Sequence, residues 1–183
     1  MKKSVGAIFF DRDGTLIKDK GYLSDPSGVE LFPGVGQALA RLREAGLLLF
    51  LFTNQSGINR GWFDLQAVEL CHRTMIEKMG LVGGFDDVCI APETPDETPV
   101  YRKPSPRFIV ETIDRFQLVP QECWMVGDKP SDWGAGERAS VRVAGIQPET
   151  GGSSPAEAKS QSIKMFSSVV EFVEWYLQNK SSK

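Results

Sequence analysis

Short apolar runs at residues 5–10, 47–53, 87–91, 123–126 and 141–144 alternate along the chain with longer stretches whose apolar positions recur every three or four residues. The short runs suit strands, and the longer stretches suit helices that bury one face. Val35, Leu39 and Leu42 share one side of a helix predicted over residues 35–45, with Gly46 as its stop. Further helices are predicted over 65–79, 106–116 and, shorter, 131–139, with Asp64 and Ser105 as side-chain caps. After a polar loop at 147–162, the stripe Phe166, Val169, Val170, Phe172, Val173 and Tyr176 predicts a last amphipathic helix, and the final Ser-Ser-Lys is expected to fray. That stripe, with Trp133 and Phe116, is assigned to the core.

Alternation of this kind is the signature of βαβ units. The almost continuous apolar run from Leu47 to Phe52 suits a parallel strand covered on both faces. The expected fold is therefore α/β: a three-layer α/β/α, Rossmann-like domain with a mainly parallel sheet. At 183 residues the chain is expected to form a single domain, with a core over 5–146 and a closing loop and helix over 147–180.

The carboxyl ends of parallel strands share one edge, where ligands bind. The first run leads into Asp11-Arg12-Asp13-Gly14-Thr15-Leu16, the second into Thr53-Asn54-Gln55-Ser56-Gly57, and the fourth into Gly127-Asp128-Lys129-Pro130-Ser131-Asp132. Arg102-Lys103-Pro104 precedes a helix after the third run. Each cluster alone reads equally well as turn and cap residues. Four of them, each at a strand exit or helix entry, are better explained by one site. Asp11 and Asp13 repel one another unless a cation or a proton relieves them. Asp11, Asp13 and Asp128 supply hard oxygen ligands without nearby His or Cys, which suits Mg²⁺ and not zinc. With Lys103 and Arg102 beside them, the implied ligand is a phosphate dianion.

Charge and composition narrow the partners. A net charge of -3 argues against a nucleic-acid or membrane-surface binder and for a small phosphorylated metabolite. The apolar stretch at the N-terminus meets Asp11 too soon for a signal peptide, and no run reaches the roughly 20 residues of a membrane span, so a cytoplasmic protein is expected. Cys71, Cys89 and Cys123 suit reduced core thiols, and His72 a structural role. A monomer is expected.

These motifs, in this order, resemble the four motifs of haloacid dehalogenase-like (HAD) phosphatases: Asp11-Arg-Asp-Gly-Thr-Leu, Thr53, Lys103 and Gly127-Asp128-Lys129 with Asp132. Gly21-Tyr22, Phe32-Pro-Gly34, Ser56-Gly-Ile-Asn-Arg-Gly61 and Arg102-Lys-Pro104 are similar to the group that removes the 7-phosphate of D-glycero-D-manno-heptose 1,7-bisphosphate, close to the histidinol-phosphate phosphatases. The resemblance implies a Mg²⁺-dependent phosphomonoesterase without a large cap domain. The Cys/His zinc loop frequent before Arg-Lys-Pro is missing: residues 91–101 hold neither residue type, so no structural zinc is expected, and Pro92, Pro95 and Pro99 are expected to stiffen the loop instead.

By the same resemblance Asp11 is the nucleophile, Asp13 the general acid and base, and Thr53, the N–H of Asn54 and Lys103 hold the phosphoryl group. Asp11, the Asp13 carbonyl and Asp128 hold the metal. Substrate contacts are expected from Asp19, Lys20, Gly21 and Tyr22 on a flap, and from Asn54, Gln55, Ser56, Arg60, Arg102 and Lys129. Arg102 either grips a second phosphate or makes a surface ion pair. Lys129 neutralises Asp128 or touches substrate. Asp132 orients Lys103 or a metal-bound water, the alternative being a helix-surface role. Trp62 and Phe63, just beyond Arg60-Gly61, either floor the substrate pocket or pack the start of a helix, and packing is the expectation taken. Histidinol phosphate or another sugar phosphate is the rival substrate, and a non-catalytic binding module the rival class.

Overall fold

A computed structural model describes residues 6–147 and 163–180. Strands β1 (Ala7–Phe10), β2 (Leu48–Asn54), β3 (Asp87–Ala91), β4 (Cys123–Gly127), β5 (Arg142–Ile146) and β6 (Lys164–Phe166) form one sheet in the order β3-β2-β1-β4-β5-β6. Each pairing is parallel. Between and after them lie α1 (Val35–Glu44), α2 (Leu65–Met79), α3 (Arg107–Phe116), α4 (Pro130–Arg138) and α5 (Val169–Lys180).

Successive strand residues point to opposite faces, and both faces of this sheet are dry. Ile8 and Phe10 join a core with Val35, Leu39, Met75, Phe172 and others from α1, α2 and α5. Ala7 and Phe9 join a second core with Phe108 and Ile109 of α3 and Ala135 of α4. This is the expected three-layer arrangement.

Local chemistry sets most element ends. The Asp64 carboxylate accepts the Ala67 N–H at 2.9 Å and caps α2, which ends at Gly80 in the left-handed region. Gly46, also left-handed, follows α1. Ser105 does not cap α3: the N-cap is Pro106, and the Ser105 hydroxyl donates to the Val100 carbonyl at 2.9 Å, accepting only a 3.4 Å bond from Arg107 N–H.

Two further expectations are corrected. Phe166 lies in β6 and not in the last helix, which begins at Val169. A three-residue strand at a sheet edge is too short to impose a period of two on the sequence. Phe116, assigned to the core, is 36% exposed at the end of α3, with its ring against Phe50. Val5, most of the 147–162 loop and the final three residues lie outside the described residues. Among the described residues no helix is long and apolar enough to cross a membrane.

Candidate active site

The strand order reverses between β1 and β4, and an open α/β sheet offers a crevice at such a point. β1 is paired on both sides, with Phe10 opposite Leu51 of β2 and Val126 of β4. Asp11 follows immediately, its N–H donating to the Val126 carbonyl at 2.9 Å, so its carboxylate leaves the sheet beside the ends of β2 and β4. Asp11, Asp13, Thr53, Lys103, Asp128 and Asp132 are all buried there.

Lys103 is the centre of charge. Its Nζ donates to Asp11 Oδ1 at 2.6 Å and to the Phe52 carbonyl at 2.8 Å, and makes an ion pair with Asp132 Oδ1 at 2.6 Å. Burial works against the ammonium, but Asp11 and Asp132 outweigh it and hold the lysine above its ordinary pKa. It is a fixed cation. Asp132 sits in the first turn of α4, where its other oxygen accepts the Lys129 N–H at 2.9 Å. Burial, eased by Lys103 and reinforced by Asp11, lifts its carboxyl to about 6. Both Asp132 oxygens thus face protein groups, the arrangement of a residue that orients Lys103.

Asp13 is gripped from two sides. Arg12, wholly buried, donates Nε to Oδ2 at 3.0 Å and Nη2 to Oδ1 at 3.1 Å, while Gln55 Nε2 donates to Oδ2 at 2.9 Å. The same Gln55 amide reaches Thr53 Oγ1 at 2.8 Å. Burial and Asp11 push the Asp13 carboxyl above its usual range, and Arg12 pulls it back only in part. Arg12 was not recognised in the sequence. Arginine is mostly a surface residue, so the sequence does not mark this one as buried; once buried, its guanidinium needs a carboxylate, and Asp13 supplies it.

Asp128 follows β4 and lies over Gly14, where a Cβ would fall inside contact distance of its carboxylate. Thr15 Oγ1 makes a long 3.4 Å bond to its Oδ1. Burial, then Asp11 and Asp132, push its carboxyl up to about 8. Asp11, Asp128 and Asp132 each bring an oxygen within 4.8 Å of the others, the group among the described residues able to hold a metal ion. An all-oxygen, buried set of carboxylates suits a hard cation.

The surrounding loops divide the remaining candidates. Asp19 turns onto the Gly21 N–H at 2.8 Å and pairs with Lys129 at 3.0 Å, so the flap is tied to the residue after Asp128. Lys20 pairs with the exposed Glu30 at 3.0 Å. The Asn54 side chain holds the lysine: its Oδ1 accepts the Lys103 N–H at 2.9 Å and its Nδ2 donates to the Lys103 carbonyl at 3.2 Å, so the amide clamps the lysine backbone. Ser56 is buried, and its carbonyl accepts the Arg60 N–H. Arg102 Nη1 donates to the Glu93 carbonyl at 2.8 Å.

Glu93, which no sequence motif marks, closes the loop before Lys103. Its carboxylate accepts N–H groups of Val100, Tyr101 and Arg102, closing the loop where the resembling enzymes place zinc ligands. Burial raises its carboxyl, but these backbone donors prevail and keep it below its usual range. Nothing in the sequence marks a carboxylate whose partners are all main chain. The same loop reaches the segment after β2 through Asn59 and Glu97, 3.1 Å apart. Phe63 lies over Gly57, in the loop ahead of α2, and Trp62 is 57% exposed.

Residues 20–140 match the model of the haloacid dehalogenase-like hydrolases. The chain is 36% identical over 138 residues to D-glycero-β-D-manno-heptose-1,7-bisphosphate 7-phosphatase of Helicobacter pylori, covering 74% of this chain and 80% of that one. It is 34% identical over 177 residues to the enzyme of the same name from Haemophilus ducreyi, covering 91% and 96%. Among solved structures, D,D-heptose 1,7-bisphosphate phosphatase from B. bronchiseptica, crystallised with magnesium and phosphate, superposes with a TM-score of 0.84 at 27% identity, covering 96% of this chain and 99% of that one. The two aspartates beyond β1, the lysine they share the crevice with and the acidic turn beyond β4 are therefore met in a chain that belongs to the haloacid dehalogenase-like hydrolases.

Proposed function

We propose that the chain removes the 7-phosphate of D-glycero-D-manno-heptose 1,7-bisphosphate through a phosphoryl group carried on Asp11. The observation that carries this reading is the pairing of Asp11 with a buried, permanently charged Lys103 at 2.6 Å, with Asp13 two residues away. The curated relatives with this activity in their names support the substrate.

Asp11 attacks phosphorus in line, forming an oxygen–phosphorus bond as the bond to the sugar oxygen breaks. Asp13 gives the departing oxygen a proton, then takes one from the water that cleaves the acyl phosphate and frees inorganic phosphate. As it stands Asp13 accepts N–H donors on both oxygens, the posture of the base half of this cycle. Lys103 and Thr53 face the phosphoryl oxygens, and Asn54 and Asp132 hold Lys103 in line. Asp11, the Asp13 carbonyl and Asp128 are the residues that would hold Mg²⁺, which supplies neutralising charge to the phosphoryl oxygens. Three buried free thiols fit work in a reducing cytoplasm.

The test is phosphate release by the wild type and by Asp11→Asn, with Mg²⁺ or EDTA, on heptose 1,7-bisphosphate, histidinol phosphate and simple sugar phosphates. Release that needs Mg²⁺ and Asp11 and is fastest on the heptose supports the proposal. Faster turnover of another ester moves the substrate, and turnover of none of them removes the phosphatase reading.

A further inference from the structure

Two exposed aromatic rings meet between the loops that leave β1 and β2. Tyr22 is 49% and Trp62 57% exposed, and their rings stand edge to face with centroids 4.2 Å apart. The Arg60 guanidinium lies over the Trp62 ring at 5.3 Å. Tyr22 belongs to the flap that Asp19 fastens to Lys129, directly after Asp128. Trp62 ends the segment that begins with Gln55, itself 2.9 Å from Asp13, and its N–H returns to the Gly57 carbonyl at 3.0 Å. Each ring is thus carried by a loop rooted at the reacting carboxylates, and the pair bridges the two loops.

Holding this much aromatic surface in water is unfavourable, and α2, which starts just beyond, buries Val68 and Cys71 without using Trp62. Some ligand group should cover it. A sugar ring has an apolar C–H face and a polar rim. The face suits an aromatic wall, and the rim suits a guanidinium beside it. A phosphate ester without a ring can reach Asp11 and Lys103 but offers nothing to the wall.

Resting on the phosphatase reading above, we propose that Trp62, braced by Tyr22, is a specificity-determining residue: it receives the C–H face of a cyclic sugar whose phosphate lies at Asp11. Trp62→Ala should then lose about tenfold more kcat/KM on heptose 1,7-bisphosphate than on glycerol 3-phosphate, an acyclic phosphate ester, the excess falling on KM because a stacked ring is held alike before and during reaction. Trp62→Phe should restore most of that difference. A second readout needs no turnover. In Asp11→Asn protein with Mg²⁺, the heptose bisphosphate should shield exposed tryptophan emission from acrylamide, inorganic phosphate should not, and adding Trp62→Phe should abolish the shielding.

If the wild type is active on the heptose but Trp62→Ala falls by the same factor on both substrates, or the bound sugar leaves quenching unchanged, the inference is wrong while the phosphatase reading stands. If the wild type cleaves no ester at all, both fall together.

Discussion

Arg12 grips both carboxylate oxygens of its own neighbour, Asp13, at 3.0 and 3.1 Å, although adjacent residues of a strand point to opposite faces. The chain has left β1 by this point, and the turn through Gly14 folds the two side chains together. Arg12→Gln should therefore leave a buried Asp13 beside Asp11 without its counter-charge, lowering stability by about 3–5 kcal/mol. The loss of a positioned acid and base should reduce kcat by roughly 100-fold. Arg12→Lys keeps the charge but not the fork, and should recover stability better than kcat. Chemical denaturation and steady-state kinetics on the two variants separate these effects.

The Lys103–Asp132 pair invites a double-mutant cycle. Lys103→Met leaves two buried carboxylates facing each other, and a loss of about 3–5 kcal/mol is expected. Adding Asp132→Asn should return part of the stability and none of the activity, because the phosphoryl group still lacks its cation. Additive losses in stability would contradict the direct coupling that the 2.6 Å contact implies.

His72 gives a pH dependence of definite sign. Burial, with Arg12 adding to it, drives this imidazole down to about 3, and its Nε2 has no hydrogen-bond partner. The unfolded chain takes up a proton near pH 6.5 that the folded chain refuses, so the stabilising contribution is complete above that pH and is lost as pH falls toward about 3. The slope from this one group approaches roughly 1.4 kcal/mol per pH unit. His72→Leu should flatten the stability profile between pH 6 and 4 relative to wild type, as urea midpoints in that window will report.

Cation binding can be measured without substrate. A ligand of the folded state at about a hundred times its Kd adds ~2.7 kcal/mol, so Mg²⁺ should raise Tm and EDTA should reverse the rise. Asp128→Asn should abolish the shift. Asp19→Asn, which releases the flap from Lys129, should leave it in place.

The positions that strand exits dictate were legible from the sequence. Asp11, Thr53 and Asp128 stand out in the sequence because a buried parallel strand must end and a polar cluster at each end has one edge to occupy, and Lys103 because it precedes a helix that returns to that edge. What escaped depended on partners that no local pattern carries. Glu93 serves main-chain N–H groups seven to nine residues away, and Asn54 holds a backbone forty-nine residues distant. Trp62 reads as packing from its neighbours, because periodicity tells which face of a helix is apolar and says nothing of a ring in the loop before it. β6 escaped for want of length.

Two glycines at the crevice do no chemistry, yet each sets a boundary on it. A methyl on Gly14 would strike the Asp128 carboxylate, and one on Gly127 would strike that of Asp132. Both aspartates stand where they do because those neighbours have no side chain. A search for relatives by acidic residues and lysine alone would therefore admit chains with alanine at either place, every charge present and the catalytic geometry lost for want of one empty carbon's width.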